Sequence, residues 1–235
     1  IFLYNAFKDH GYKVDYIPNS IDLDLYPLKL RETIKPNMLY VRSFHKIYNP
    51  TLAVKVLKEV SKVYPESTLC MVGPDKDGSL EQVMQLASEL NLSDKIILTG
   101  QLSKSEWIKL SSDYDIFINT TNFDNHPVSV IEAMALGLPV VSTNVGGIPF
   151  LLEDGQEGLL VPPQDSHIFS EAIFTLLKHP EKAYELAQKG RLKAENFHWE
   201  RVKIQWKELI NSAQHLMTRH TLNTRSNKHT QYVDV

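Results

Sequence analysis

Six short apolar runs, each followed by a helix-like pattern, constrain what this chain can fold into more than any other feature. They lie at residues 37–41, 67–72, 95–99, 115–119, 140–143 and 158–161. The intervening segments carry helix signals. Asn49-Pro50 opens a run to about residue 64 with apolar positions at Leu52, Val56, Val60 and Val63. Ser79 starts a second run, and Ser103 with Glu106 suits a capping box. Helices are also expected over 166–177, from Pro180, and from Trp199 onward. Alternation of this kind predicts an α/β chain: a Rossmann-like, doubly wound parallel sheet of about six strands with helices on both faces. Residues 14–17 read as a further short strand and 21–35 as a connector with a short helix at most.

Within this frame the stretch from Asn122 to Pro149 stands apart. Glu132 is the one ionisable side chain between Pro127 and Thr143, inside an apolar helix-then-strand run. Steps of 100° place it beside Val128, Ile131 and Ala135, on a face that reads as buried. An unpaired buried carboxylate costs several kcal/mol, so stability alone would not select it. Glu132 is therefore either a core acid paired with Arg or Lys, or capping a loop, or a carboxylate facing the hydroxyls of a ligand. Its surroundings favour the ligand. Asp124-Asn125-His126-Pro127 supplies a turn with proline suited to the first helical position, and a helix start of that kind attracts anions. Gly146-Gly147 reads as a turn into a further helix, so two helix starts would open on one sheet edge, where such sheets bind ligands.

Other candidates sit at strand ends. Arg42 follows the first run, with Lys46 four residues later; such cations could neutralise a diphosphate, or could be a solvated loop pair. Gly73 and Gly100 close strands and permit close backbone approach, although turn geometry alone would explain them. Asp124 and Glu132 are unconvincing as a general acid and base, but suit two acceptors for sugar hydroxyls. His126 reads either as a ligand contact or as a polar loop residue.

Composition excludes several classes. Lys and Arg number 25 against 28 Asp and Glu, a net charge of −3, which gives no field for nucleic acid. The single cysteine, Cys70, precludes an internal disulfide framework and fits a reducing, cytoplasmic setting. No apolar run approaches about 18 residues, so no transmembrane helix is expected, which leaves peripheral membrane contact open. The scattered histidines and carboxylates support no metal, and no G-x-G-x-x-G, P-loop or nucleophile elbow is present.

Taken in order, YIPNSID, LYVRSF, LCMVGPD, IILTGQL, DYDIFINTT, DNHPVSVIEAMALGLPVVSTNVGGIP and DGQEGLLVPPQD resemble the C-terminal, donor-binding half of retaining glycosyltransferases of the GT-B fold, family 4 (glycosyl transferases group 1). The resemblance spans about residues 14–165. It implies a nucleotide-sugar donor as substrate and no metal or other cofactor. It matches Glu132 to the acid that holds the ribose hydroxyls and Asp124 to the acid near the donor sugar. Asn125, His126, Pro127 and Val128 match the loop whose amides meet sugar and diphosphate. Arg42 matches the basic residue that steadies the leaving diphosphate, and Gly100 the loop beside the nucleobase. The chain departs from the family in four places. Asp124 is a methylene shorter than the usual Glu, and Ile47 stands where the family lysine falls, leaving Lys46 one place early. Val41 precedes Arg42 where glycine is usual, and Phe150 occupies a frequent Glu position.

The organisation expected is the end of a preceding domain with its connector over 1–20, a nucleotide-sugar-binding domain over 21–197, a returning helix over 198–217 and a disordered tail over 218–235. A sugar or lipid-linked acceptor would then be held by the N-terminal domain that the resemblance implies. Two rival functions stay open: a nucleotide-binding or partner-docking module without catalysis, and a sugar epimerase or phosphorylase of the same fold.

Overall fold

The computed structural model describes residues 1–229, with side chains through residue 214. Six parallel strands, β1 (Asn37–Val41), β2 (Thr68–Val72), β3 (Ile96–Gly100), β4 (Ile116–Asn119), β5 (Val140–Thr143) and β6 (Leu159–Val161), form one sheet in the order β3-β2-β1-β4-β5-β6. The helices are α1 (Phe2–Asp9), α2 (Pro50–Val63), α3 (Ser79–Glu89), α4 (Lys104–Leu110), α5 (Val128–Ala135), α6 (Ile148–Leu151), α7 (Ser166–Lys178), α8 (Pro180–Ala194) and α9 (Trp199–His229).

Alternation along each strand builds the two layers. Met38, Tyr40, Leu69, Met71, Ile116 and Ile118 face α2, α3 and α7. Leu39, Cys70, Phe117 and Val140 face the other way, onto Trp107 of α4, Val130 and Ile131 of α5, and Ile148 of α6. Leu39 pairs with Cys70 on one side and Phe117 on the other, so β1 lies at the centre of both cores. The strand order reverses between β1 and β4. Loops after these two strands therefore diverge and leave a crevice at the carboxyl edge of the sheet.

Local signals set the ends of the elements. Ser103 and Glu106 form the expected capping box at α4, and the Asp165 carboxylate accepts from the Ile168 amide at the start of α7. Two expectations are corrected. Residues 14–17 form no strand, because the segment runs outside the sheet and finds no partner for its backbone. The tail expected to lack structure from 218 instead continues α9 to His229; the stretch 199–229 contains neither glycine nor proline to end the helix. Residues 230–235 of that expectation lie outside the described residues.

The connector before β1 is fastened by a buried arginine. Arg31 Nε lies 3.3 Å from Asp115 Oδ1 and donates to the Tyr114 carbonyl at 2.9 Å. Its Nη1 donates to the carbonyls of Lys29 and Gly137 at 2.6 and 3.0 Å, and Nη2 to that of Ser111 at 3.1 Å. Arg31 thereby joins the connector to the ends of α4 and α5. Replacing it with Met leaves Asp115 and four carbonyls short of a donor, so Arg31→Met should cost about 3–5 kcal/mol in urea unfolding. A loss below about 1 kcal/mol would contradict this role.

Candidate active site

The crevice is a cavity of about 320 Å³ at the carboxyl edge of the sheet. Arg42 and Ser43 reach it from the end of β1, Gly73 and Pro74 from β2, and Gln101 and Leu102 from the loop after β3. Lys104 and Trp107 come from α4, and Val128, Ser129 and Glu132 from α5. Of the residues singled out in the sequence, Arg42, Gly73, Val128 and Glu132 meet here. Gly100 stands one residue away from the lining, its carbonyl accepting from the Gly73 amide at 2.9 Å.

Gly73 shows how closely the edge is packed. Its φ is +151°, and a Cβ there would lie 2.1 Å from the Arg42 carbonyl oxygen. Only glycine lets the turn after β2 lie against the turn after β1.

Glu132 belongs to both readings offered by the sequence. It is buried, at 3% exposure, and it is paired. The Tyr26 hydroxyl donates to its Oε1 at 2.7 Å, and the Lys104 ammonium engages the same oxygen. Yet the partner is not an interior cation: Lys104 is half exposed at the cavity mouth, and Glu132 itself lines the cavity. Tyr26 is buried, and its hydroxyl stays far above its ordinary pKa, through burial first and the bond to Glu132 second. It remains a donor at any working pH.

Arg42 lies over the Tyr48 ring, 4.2 Å from its centroid, and its Nη2 pairs with Asp124. Its Nε is buried and has no hydrogen-bond partner, and neither has the nearby Ser129 Oγ. Two buried donors without acceptors at one cavity wall are the pattern an anionic ligand would complete. No side chain caps α5, so the amides of its first turn add to that donor set.

Other expectations are placed differently. Pro127 has ψ of 115° and stands before α5 rather than at its first position, so the helix starts at Val128. Gly147 opens only the single turn of α6. A Cβ on Gly147 would lie 1.7 Å from the Asn125 carbonyl oxygen, and its amide donates to the Asp124 carbonyl at 2.7 Å. The glycine pair is thus a seat for the Asp124-Asn125 loop and not a second anion site. Lys46 is exposed and does not line the cavity; its amide donates to Asp77 Oδ2 at 3.0 Å. Asn125 and His126 face a second cavity of about 220 Å³ shared with Tyr4, Phe7, Tyr16 and Pro18. Sequence reasoning missed Tyr26, Tyr48, Lys104 and Ser129. For Lys104 a signal existed, since it opens a capped helix directly after a strand end. Among the described residues, no group of three or more His, Cys, Asp or Glu is placed to hold a metal ion.

Residues 29–193 match the family profile described as glycosyl transferases group 1. The chain belongs to this family. It is 24% identical over 199 residues to D-inositol 3-phosphate glycosyltransferase of Segniliparus rotundus, covering 80% of this chain and 44% of that protein. Spore coat protein SA of Bacillus subtilis is 28% identical over 175 residues, 72% of this chain and 46% of that protein. Among solved structures, sucrose-phosphate synthase from Thermosynechococcus elongatus aligns with a TM-score of 0.80 at 26% identity, covering 92% of this chain and 57% of that one. Anabaena HepE, in complex with UDP and glucose, aligns with a TM-score of 0.79 at 20% identity, covering 88% and 60%. This chain therefore has the family's α/β fold and spans roughly half of these relatives.

His126, at the second cavity, gives the fold a pH signature. Its ring packs edge-on to Phe197 at 5.2 Å, and burial pushes the imidazole down to about 4. Between about 4 and the ordinary 6.5, the unfolded chain binds a proton that the folded chain refuses. Stability from this group is complete above that window and is lost as pH falls through it. The unsubstituted chain should lose on the order of 1 kcal/mol more than His126→Phe between pH 7 and 5. Parallel stability profiles for the two would rule out a buried neutral imidazole.

Proposed function

We propose that the chain is the donor-binding half of a retaining glycosyltransferase that moves a sugar from a nucleotide-sugar to an acceptor. The observation that carries this reading is the pairing of two chemistries in one crevice. A carboxylate with a free oxygen lies on α5, and unpartnered donors, Arg42 Nε and Ser129 Oγ, lie beside the start of the same helix. The first suits the ribose diol and the second a diphosphate. Solved relatives described as complexes with UDP, and with UDP-glucose, support a nucleotide-sugar as the donor class.

In this reading the bond from the anomeric carbon to the diphosphate breaks as an acceptor hydroxyl oxygen takes its place on the same face and gives its proton to the departing phosphate. Negative charge grows on the departing phosphate. Arg42, the Ser129 hydroxyl and the amides at Val128 are pre-placed for that charge, and such placement is where most of the rate enhancement arises. Asp124 holds the Arg42 guanidinium in position and stands near the donor sugar. Lys46, exposed on the same loop, contributes longer-range attraction. The nucleobase stacks beside Gly100 and Gln101, and no metal is required. The acceptor, a sugar or a lipid-linked group, is held by polypeptide outside this chain. The setting is cytoplasmic; among the described residues, no helix is long and apolar enough to cross a membrane.

A thermal-shift panel of UDP, GDP, ADP and their sugars tests the donor site. At least one nucleotide should raise the midpoint, and Glu132→Ala should weaken its binding by more than about tenfold through loss of charge-assisted bonds to the diol. An unchanged profile in the variant would overturn the assignment.

A further inference from the structure

The carboxylate of Glu132 is used unevenly. Both protein donors, the Tyr26 hydroxyl and the Lys104 ammonium, fall on Oε1. Oε2 accepts no hydrogen bond among the described residues, and it is not one of the atoms sealed from solvent without a partner. One oxygen is anchored by two protein donors, and the other is left without one in a side chain that lines the cavity.

The two donors are not equivalent. Lys104 is half exposed on a flexible stem, and its ammonium, 5.9 Å from the Trp107 ring centroid, is held by no other side chain than Glu132 and that ring among the described residues. Tyr26 is immobilised. The residue is 3% exposed, and its ring packs against Trp107, with centroids 6.5 Å apart. Its carbonyl accepts from Arg191 Nη1 at 2.9 Å, and the same nitrogen donates to the Ala135 carbonyl at 2.6 Å, at the end of α5. Arg191 therefore ties the backbone of Tyr26 to the helix that carries Glu132. The hydroxyl and the carboxylate are held in one frame, while Lys104 can leave it.

We propose that Tyr26 is a positioning residue that sets the preference of this site for ribose over deoxyribose. By fixing Oε1, it keeps Oε2 turned toward the 2′- and 3′-hydroxyls of a bound nucleotide. The proposal rests on the donor-site reading above and adds to it a residue outside the crevice. A phenylalanine at 26 would fill the same space, but the carboxylate could then rotate about its terminal torsion to follow Lys104. Hydrogen bonds to a diol depend on direction, whereas attraction between Lys104 and Glu132 does not. Loss of the hydroxyl should thus fall on the 2′-OH contact in particular and not on nucleotide binding at large.

The test measures affinities of the full 235-residue chain for UDP, GDP and ADP and for their 2′-deoxy counterparts, with Tyr26→Phe, Glu132→Gln, the double variant and Lys104→Met. The unsubstituted chain should prefer the ribonucleotide it binds best by about tenfold or more, the range expected for a lost bond to a charged acceptor. Tyr26→Phe should bring that ratio within about threefold, and in the Glu132→Gln background should change it no further, as residues acting through one group do. Lys104→Met should change the affinity for both ligands alike and keep the ratio.

An undiminished ratio in Tyr26→Phe, with binding intact, would overturn this inference and leave the donor site standing. A ratio that collapses in Lys104→Met would assign the role to the lysine instead and overturn it equally. If the unsubstituted chain binds none of the six nucleotides, the donor-site reading fails and the inference falls with it.

Discussion

A carboxylate placed on an otherwise apolar helix is tolerated only where donors meet it, and the crevice is arranged around that requirement. Glu132 sits in a helix whose residues from Ser129 to Ala135 are all buried. Its charge is met by a hydroxyl from the connector and an ammonium from α4. Removing either donor would leave part of a desolvation cost uncompensated. The connector, α4 and α8 can each be understood as holding that acid at the cavity wall while leaving one oxygen unused. The arrangement has the character of a prepared site rather than an internal salt bridge, because its cation is half in solvent.

The phosphate side follows a parallel logic with the charges exchanged. Arg42 is held by Asp124 and by the face of Tyr48, and one of its buried nitrogens remains without an acceptor. The loop that carries Asp124 is pressed onto Gly146 and Gly147, where added Cβ atoms would meet backbone oxygens at 2.3 and 1.7 Å. Close backbone packing, more than any cap, sets the entrance to α5. Because that entrance and Arg42 share Asp124, the unpartnered donors and this acid are held in one frame.

Much of this was legible in the sequence. The strands at residues 37–41, 140–143 and 158–161 are short apolar runs with firm stop signals, and the capping box at Ser103 needed only local pattern. Glu132 announced itself as a lone acid in an apolar helix. What could not be read were its partners, since Tyr26 lies 106 residues away and Lys104 lies 28 away, and each is ordinary in its own neighbourhood. The same limit explains Gly147, whose role depends on a loop more than twenty residues earlier in the chain. Residues 14–17 have strand-like composition but no sheet edge within reach. The stretch after 218 has few apolar residues, which suggested disorder, but it also lacks any helix breaker.

A nucleotide-bound crystal structure of the chain, prepared with whichever nucleoside diphosphate stabilises it most, addresses the central claim most directly. The account predicts the furanose hydroxyls on the cavity-facing oxygen of Glu132, with Tyr26 still on the other, and the phosphates against Arg42 and the first turn of α5. Density for the nucleotide elsewhere, or a ribose that leaves Glu132 bound only to its protein partners, would contradict it.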